Sequence, residues 1–125
     1  HFGPFRFDAA VGEGDLGPVL TEPLPRSKIL PLAKKYRLLY TTVLTELRSV
    51  VRPGGRIVLA VPRWQAKEGG TTGLGLDGLI QLMGYRKVGL FERFKDRIPE
   101  DWHNGKLTYS RPGQKTIREI LVLEA

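Results

Sequence analysis

The stretch that most constrains this chain is Leu47–Trp64, with the sequence LRSVVRPGGRIVLAVPRW. Its Pro53–Gly55 segment breaks a preceding helix and supplies a turn. The apolar run Ile57–Val61 follows, and a strand that is apolar on both sides is typical of the interior of a sheet covered on both faces. Pro62 is expected to end this strand, because proline cannot donate to a β-ladder. The stretch therefore predicts an α/β fold built around this strand.

The remaining predicted elements follow from the spacing of apolar residues. Between Lys28 and Val51 such residues recur every three or four positions, which is typical of a helix with one face on a core. The other predictions are a strand at Phe7–Val11, a helix at Leu76–Met83 ended by Gly84, a strand at Lys87–Phe94 and a strand at Thr116–Glu124. No crossover helix separates the last two strands, so we expect them to be antiparallel neighbours.

Composition narrows the partners and sites that this chain can have. A formal net charge of +7 favours a polyanionic partner, although many soluble domains are also basic. The absence of cysteine excludes disulfides and thiolate metal sites. Only two histidines are present, His1 and His103, which argues against a histidine-rich metal site. No apolar run approaches the ~18 residues of a membrane span, so we expect a cytoplasmic protein with no membrane partner.

The first residue and the methionine content bear on domain organisation. The chain has 125 residues, begins at His1 and contains a single methionine, Met83. Its length suggests one domain. We expect residues 1–125 to be a single domain or a processed fragment of a longer protein.

A glycine-rich acidic loop, Gly12–Pro18, follows the first predicted strand. Its two carboxylates, Glu13 and Asp15, could bind an amine or a base edge at the carboxyl end of that strand. The alternative is a solvated turn, because glycine and aspartate are common turn residues. The chain has neither a Gly-x-Gly-x-x-Gly pattern nor a phosphate-loop lysine pattern.

The predicted order and two sequence segments resemble the carboxyl half of a class I, S-adenosylmethionine-dependent methyltransferase. The Leu39–Val58 segment is similar to the helix and turn that lead into the fifth strand of that fold. The YSRPGQ segment at 109–114, followed by Arg118-Glu119-Ile120, is similar to the ending of RNA methyltransferases related to archaeal tRNA guanine-N2 enzymes. The resemblance implies a Rossmann-like α/β sheet, mostly parallel, with an antiparallel last strand.

In that family the fourth strand ends in a catalytic tetrapeptide, Asp-Pro-Pro-Tyr or, in a bacterial branch, Thr-Glu-Pro-Tyr followed by Leu-Gly-Pro. The loop at 12–18 occupies this place, with Glu13 and the Leu-Gly-Pro at 16–18 matching the branch. Gly12, Gly14 and Asp15 depart from it. A second register at Thr21–Leu24 matches three letters, but no apolar strand leads into it.

The resemblance also implies candidate site residues. Glu13 and Asp15 are the catalytic candidates, placed near the target amine. The substrate-binding candidates are Gly12, Gly14, Leu16, Gly17, Pro18, Arg63, Trp64, Lys67 and Arg111. Arg111 either contacts phosphate or pairs with Glu119. Trp102 and Tyr109 either stack on bases or anchor the core.

The expected function is methyl transfer from S-adenosylmethionine to a base amine in RNA, with tRNA guanine as the expected target. The cofactor is expected for the whole protein and not for this fragment alone, because the glycine loop and ribose-binding acidic residue of the fold are absent here. The alternative is a catalytically decayed module that binds RNA or a protein. In either case the Phe7–Val11 strand would expose an edge through which chains could associate.

Overall fold

The computed structural model describes residues 4–89, 92–98 and 107–125. The expected features at His1, Trp102 and His103 lie outside this part. The regular elements in chain order are β1 (Phe7–Glu13), α1 (Arg26–Val50), β2 (Val51–Gln65), β3 (Thr71–Thr72), α2 (Asp77–Leu82), β4 (Arg86–Lys87), a 3-10 helix (Glu92–Arg97), β5 (Leu107–Tyr109) and β6 (Thr116–Glu124). The α/β class predicted from the sequence is confirmed.

The strands form one mixed, open sheet. Its order is β1-β2-β6-β4, with β3 pairing with β2 and β5 with β6. Among the strands in the described ranges, β1 and β2 pair in parallel, whereas the other four strand pairings are antiparallel. The prediction of a mostly parallel sheet is therefore wrong. The reason is the position of β6, which runs against β2 and β4 and so reverses the pairing on both of its edges.

Strand β2 lies in the interior of the sheet, as its apolar run predicts. Leu59 is paired with Gly12 of β1 on one side and with Leu121 of β6 on the other. The strand also continues through Pro62, where it was expected to end. Gln65 donates its N–H to Lys115 on the β6 side, so alternation turns the nitrogen of Pro62 away from β6. The nitrogen of Pro62 therefore faces the β1 side of β2. Because β1 pairs with β2 only as far as Ala60, proline at position 62 costs no hydrogen bond of that ladder.

The Pro53–Gly55 segment lies within β2 and not in a turn before it. The β1–β2 register shifts between Phe7 and Ala9, which marks an irregularity opposite this segment. Gly54 has a φ of 78°, a conformation that favours glycine. A Cβ atom added at Gly55 would lie 2.8 Å from the carbonyl oxygen of Asp8. The two glycines therefore let the strand bend and still approach β1 closely.

Helix α1 packs on one face of the sheet, and the core lies between them. Residues three or four apart on the helix are buried: Ile29, Ala33, Tyr36, Tyr40 and Leu44. They form one cluster with Ile57, Leu59, Val61 and Trp64 of β2 and with Leu121 and Leu123 of β6. The amphipathic helix predicted from the sequence is confirmed, with its start two residues earlier. No helix in the described ranges is both long and apolar enough to cross a membrane.

The edge of β6 away from β2 is shared by two short strands. Arg86–Lys87 pairs with its end, and Leu107–Tyr109 pairs with its middle. The prediction of a single strand at Lys87–Phe94 is therefore wrong in its bounds, because only Lys87 of that segment belongs to β4. The chain continues past Val88, which still donates to Val122, and residues 92–97 form the 3-10 helix. Residues 90–91 lie outside the described ranges.

Candidate functional site

The Gly12–Pro18 segment begins with the last two residues of β1, which extends two residues beyond the predicted Phe7–Val11 strand, and continues as a loop beside the last part of β2. The parallel register places Glu13 beside Ala60, two residues before Pro62. Farther along, Gly17 covers the indole of Trp64, and a Cβ atom added to this glycine would lie 3.1 Å from the ring. The acidic loop and the end of β2 therefore meet at one end of the sheet, and that position fits the ligand-binding end of open α/β sheets.

Glu13 forms a two-point ion pair with Arg118 of β6. The Nε atom of Arg118 lies 2.5 Å from Oε2 of Glu13, and Nη2 lies 3.3 Å from Oε1. The hydrogen bond to the Glu13 carboxylate raises the pKa of Arg118 above the ordinary value for arginine. The Glu13 side chain remains 44% exposed, so it can accept hydrogen bonds from another molecule as well.

Asp15 fixes the loop through three hydrogen bonds within the chain. Its Oδ1 accepts the N–H of Gly17 at 2.8 Å, and its Oδ2 accepts the hydroxyl of Tyr36 at 3.1 Å. The backbone carbonyl of Asp15 accepts the hydroxyl of Tyr40 at 2.8 Å. Both carboxylate oxygens are therefore engaged within the chain, and the residue fixes the loop on α1.

The two tyrosines on α1 keep their hydroxyls as donors. Burial raises the pKa of Tyr40 to about 12, and the nearby charges of Asp15 and Glu13 add to the effect. Burial, followed by the hydrogen bond to Asp15, also raises the pKa of Tyr36. A Cβ atom added at Gly14 would lie 2.8 Å from Oη of Tyr40, so this position requires glycine.

Trp64 is part of the core under the loop. It is fully buried and meets Tyr36 edge-on, with ring centroids 5.7 Å apart and planes at 65°. Its Nε1 atom is buried without a hydrogen-bond partner in the described part of the chain. The ring forms a floor beneath Gly17 and, in this arrangement, offers no free face for stacking on a base.

The remaining sequence-predicted residues lie on other surfaces. Arg63 pairs with Glu119 at 3.1 Å and donates to Thr71 Oγ1 at 2.6 Å, in a cavity formed by β2, β3 and the 73–77 segment. Lys67 is exposed beyond β2, and its N–H donates to Leu24. Arg111 is exposed in the turn before β6. Glu119, the carboxylate with which it was alternatively expected to pair, is bound by Arg63.

Three residues that complete the site were not predicted: Arg118, Tyr36 and Tyr40. Arg118 precedes Glu119 in β6, and neighbouring strand residues face opposite sides of a sheet, which is why one reaches Glu13 and the other Arg63. The tyrosines lie four apart on one face of α1. Tyrosines at such a spacing are typical of core packing, and the polar end of each ring gives no separate signal in the sequence.

Two concave surfaces flank the loop. An apolar groove of about 500 Å³ runs between β1 and α1, where Leu39, Val43 and Leu47 line it. A smaller pocket of about 220 Å³ lies on the other side of the loop, against the start of β6. Its lining residues are Leu16, Gly17, Pro18, Val19, Leu20, Gln114, Lys115, Thr116 and Arg118.

The comparisons with known proteins found no match for this chain. No protein-family model, no curated protein and no solved structure matches this chain. Among the residues that the structure describes, no group of three or more histidine or acidic side chains could hold a metal ion. The arrangement of the site is therefore the ground for a functional proposal.

Proposed function

We propose that this chain is the substrate-side half of a Rossmann-like class I methyltransferase domain that transfers a methyl group from S-adenosylmethionine to a base amine in RNA. The expected target is tRNA guanine. The observation that carries the proposal is the position of the Gly12–Pro18 loop at the carboxyl end of β1, beside the last residues of β2. The antiparallel insertion of β6 beside β4 and β5 also supports it, since the resemblance leads us to expect such a last strand.

Glu13 is the residue best placed to contact a base amine. Its carboxylate has several lone pairs, of which Arg118 occupies two, and nearly half of its side chain is exposed. A hydrogen bond accepted from an exocyclic amine would orient the nitrogen for attack on the methyl group. Methyl transfer depends mainly on such positioning. Asp15 acts indirectly, because its own oxygens hold Gly17 and Tyr36.

The residues of this chain do not by themselves fit S-adenosylmethionine. The groove beside β1 is walled by apolar side chains, and the two carboxylates among its described lining residues, Glu13 and Asp15, are engaged by partners within the chain. Those walls offer little to a ribose and an amino-acid group, which need polar partners. The proposal therefore requires a cofactor-binding half elsewhere in the protein or in a partner.

Calorimetry on the whole protein that carries this chain tests the cofactor requirement. We expect S-adenosylmethionine to bind that protein and not the 125-residue chain alone. S-adenosylhomocysteine, which lacks the transferable methyl group, is the matched control ligand and should bind too. No binding of either ligand to a folded whole protein would remove the cofactor from the proposal.

A second candidate function is a catalytically decayed module that binds RNA or a protein. The engagement of Asp15 in internal hydrogen bonds favours it, because an aspartate fixed in this way cannot replace the aromatic residue that stacks on a base in the family's tetrapeptide. RNA methylation that Glu13→Ala abolishes would exclude this candidate. Binding that is insensitive to salt would exclude nucleic acid as the partner, since phosphate contacts release counterions.

A further inference from the structure

The smaller pocket beside the loop places two cations against an apolar wall. Lys115 and Arg118, at the start of β6, line one side of it, and the Leu16–Leu20 segment lines the other. Gly17 in that wall is held by the hydrogen bond to Asp15 and lies directly over the buried ring of Trp64. The wall is therefore supported from behind by the core, and the pocket is part of the fold.

The two cations differ in how they are neutralised. Arg118 is paired with Glu13, whereas Lys115 is half-buried and makes no ion pair within the described ranges. The pair uses Nε and Nη2 of Arg118, and the guanidinium has further N–H groups to donate. The pocket thus carries an uncompensated positive charge together with unused donors, which favours an anion with several acceptor oxygens.

The opposite wall indicates what the anion is attached to. Leu16, Pro18 and Leu20 present apolar surface, and Val19 beside them is 96% exposed. A free inorganic anion would make no use of such a wall. A nucleotide would, because its phosphate can face the cations while its sugar and base cover apolar side chains.

We propose that this pocket binds a phosphate of single-stranded RNA, with Lys115 and Arg118 as the phosphate-contacting residues and the Leu16–Leu20 segment against the adjoining nucleotide. The inference rests on the proposed function and names its phosphate subsite. It also links the subsite to Glu13. A phosphate that takes Arg118 competes with the Glu13 carboxylate and leaves that carboxylate free for a base amine.

The test is a titration of this chain with a fluorescein-labelled single-stranded RNA oligonucleotide, followed by anisotropy at several salt concentrations. Lys115→Gln should weaken binding roughly five- to tenfold and reduce the salt slope by about 0.7, the value for one phosphate contact on a single strand. Lys34→Gln removes the same charge from an exposed position on α1 and should change neither. Glu13→Gln should strengthen binding, because it releases Arg118.

Each outcome bears on one proposal. If Lys115→Gln and Lys34→Gln weaken RNA binding equally and leave thermal unfolding unchanged, the pocket is not the phosphate site. RNA would remain a partner of the chain in that case. Displacement of the RNA by polyglutamate as readily as by unlabelled RNA would also overturn the pocket, in favour of a general anion site. A selective loss in Lys115→Gln would support the pocket even if the whole protein failed to methylate RNA, and in that case only the proposed activity would fall.

Discussion

Glu13 at the end of β1 and Arg118 in β6 are joined across β2 by two hydrogen bonds, of 2.5 and 3.3 Å, although 105 positions separate them in the sequence. The pair links β1 to β6, whereas the ladder pairing of β1 in the described ranges is with β2. It also places this ion pair against the phosphate pocket proposed above, which Arg118 lines. The site is thus built by the register of three strands and not by one motif.

The Glu13–Arg118 pair should contribute little to stability. The side chains are 44% and 28% exposed, and ion pairs at such positions are largely screened by solvent. We expect Glu13→Gln, Arg118→Gln and the double variant to unfold at nearly the same denaturant midpoint. A large coupling in this double-mutant cycle would show that the pair holds β1 in place, and its role at the site would then be secondary.

Gly14→Ala should destabilise the chain, whereas Gly12→Ala should not. A Cβ atom at Gly14 would lie 2.8 Å from Oη of Tyr40, which is buried and hydrogen-bonded to Asp15. Nothing lies within 4 Å of the same atom at Gly12. Overpacking of this kind costs about 1–3 kcal/mol. Urea unfolding of the two variants measures the difference, and equal losses would mean that the tyrosine yields or that the loop lies elsewhere.

Tyr40→Phe should cost more stability than Tyr36→Phe. The first removes the hydroxyl of a fully buried ring and leaves the part-buried carbonyl of Asp15 without its 2.8 Å partner, at a cost of about 1–2 kcal/mol. The second frees a carboxylate oxygen that water can reach. Chemical unfolding at neutral pH gives both values, and the reverse order would contradict the arrangement.

The same tyrosine makes the fold sensitive to alkali. Burial raises the pKa of Tyr40 from 10.0 to about 12, so its contribution is complete below pH 10 and is lost as the pH rises through about 12. Tyr40→Phe should therefore flatten the alkaline fall in unfolding free energy. Some of the fall should remain, because burial also raises the pKa values of Tyr36 and Tyr85.

Glu68 should stabilise the start of α1 in a pH-dependent way. Pro25 caps the helix without a side-chain hydrogen bond, and Glu68 instead accepts the N–H of Arg26 at 3.0 and 3.2 Å. Hydrogen bonds from backbone N–H groups, its own and that of Arg26, lower the pKa of Glu68 below 4.5. Its contribution is therefore present above pH 4.5 and is lost as the pH falls through the lowered value.

Thermal unfolding between pH 3 and pH 7 checks this role. We expect Glu68→Gln to lower the Tm at pH 7 and to unfold like the parent chain at pH 3. Glu22→Gln, at an exposed position that makes no hydrogen bond within the described ranges, is the matched control. An equal loss in both variants would attribute the effect to net charge and not to the helix start.

The parts of the fold that depend on long periodic segments could be predicted from the sequence. The apolar run at Ile57–Val61 predicted an interior strand, and the bounds of β6 are those expected, because each segment carries enough apolar residues to define its period. Leu107–Tyr109 could not be predicted, since three residues become a strand only by pairing with the free edge of β6. The same holds for Thr71–Thr72 on β2.

The candidate site could be predicted only where one strand end defines it. The position of the Gly12–Pro18 segment at the end of the sheet agrees with the sequence prediction, although its first two residues belong to β1. Arg118 could not be found in this way, because only the register of β6 against β2 brings it to Glu13. Trp64 is a substrate-binding candidate in the sequence, and in the structure the loop folds over it and places it in the core.

The most direct test of the account is a methyl-transfer assay with the whole protein, labelled S-adenosylmethionine and tRNA, followed by digestion of the RNA to nucleosides. We predict a methylated base amine in the product. Glu13→Gln should greatly reduce its formation while RNA binding becomes stronger, because the carboxylate contacts the amine and restrains Arg118. A folded protein that binds both the cofactor and RNA but yields no methylated nucleoside would contradict the proposed function.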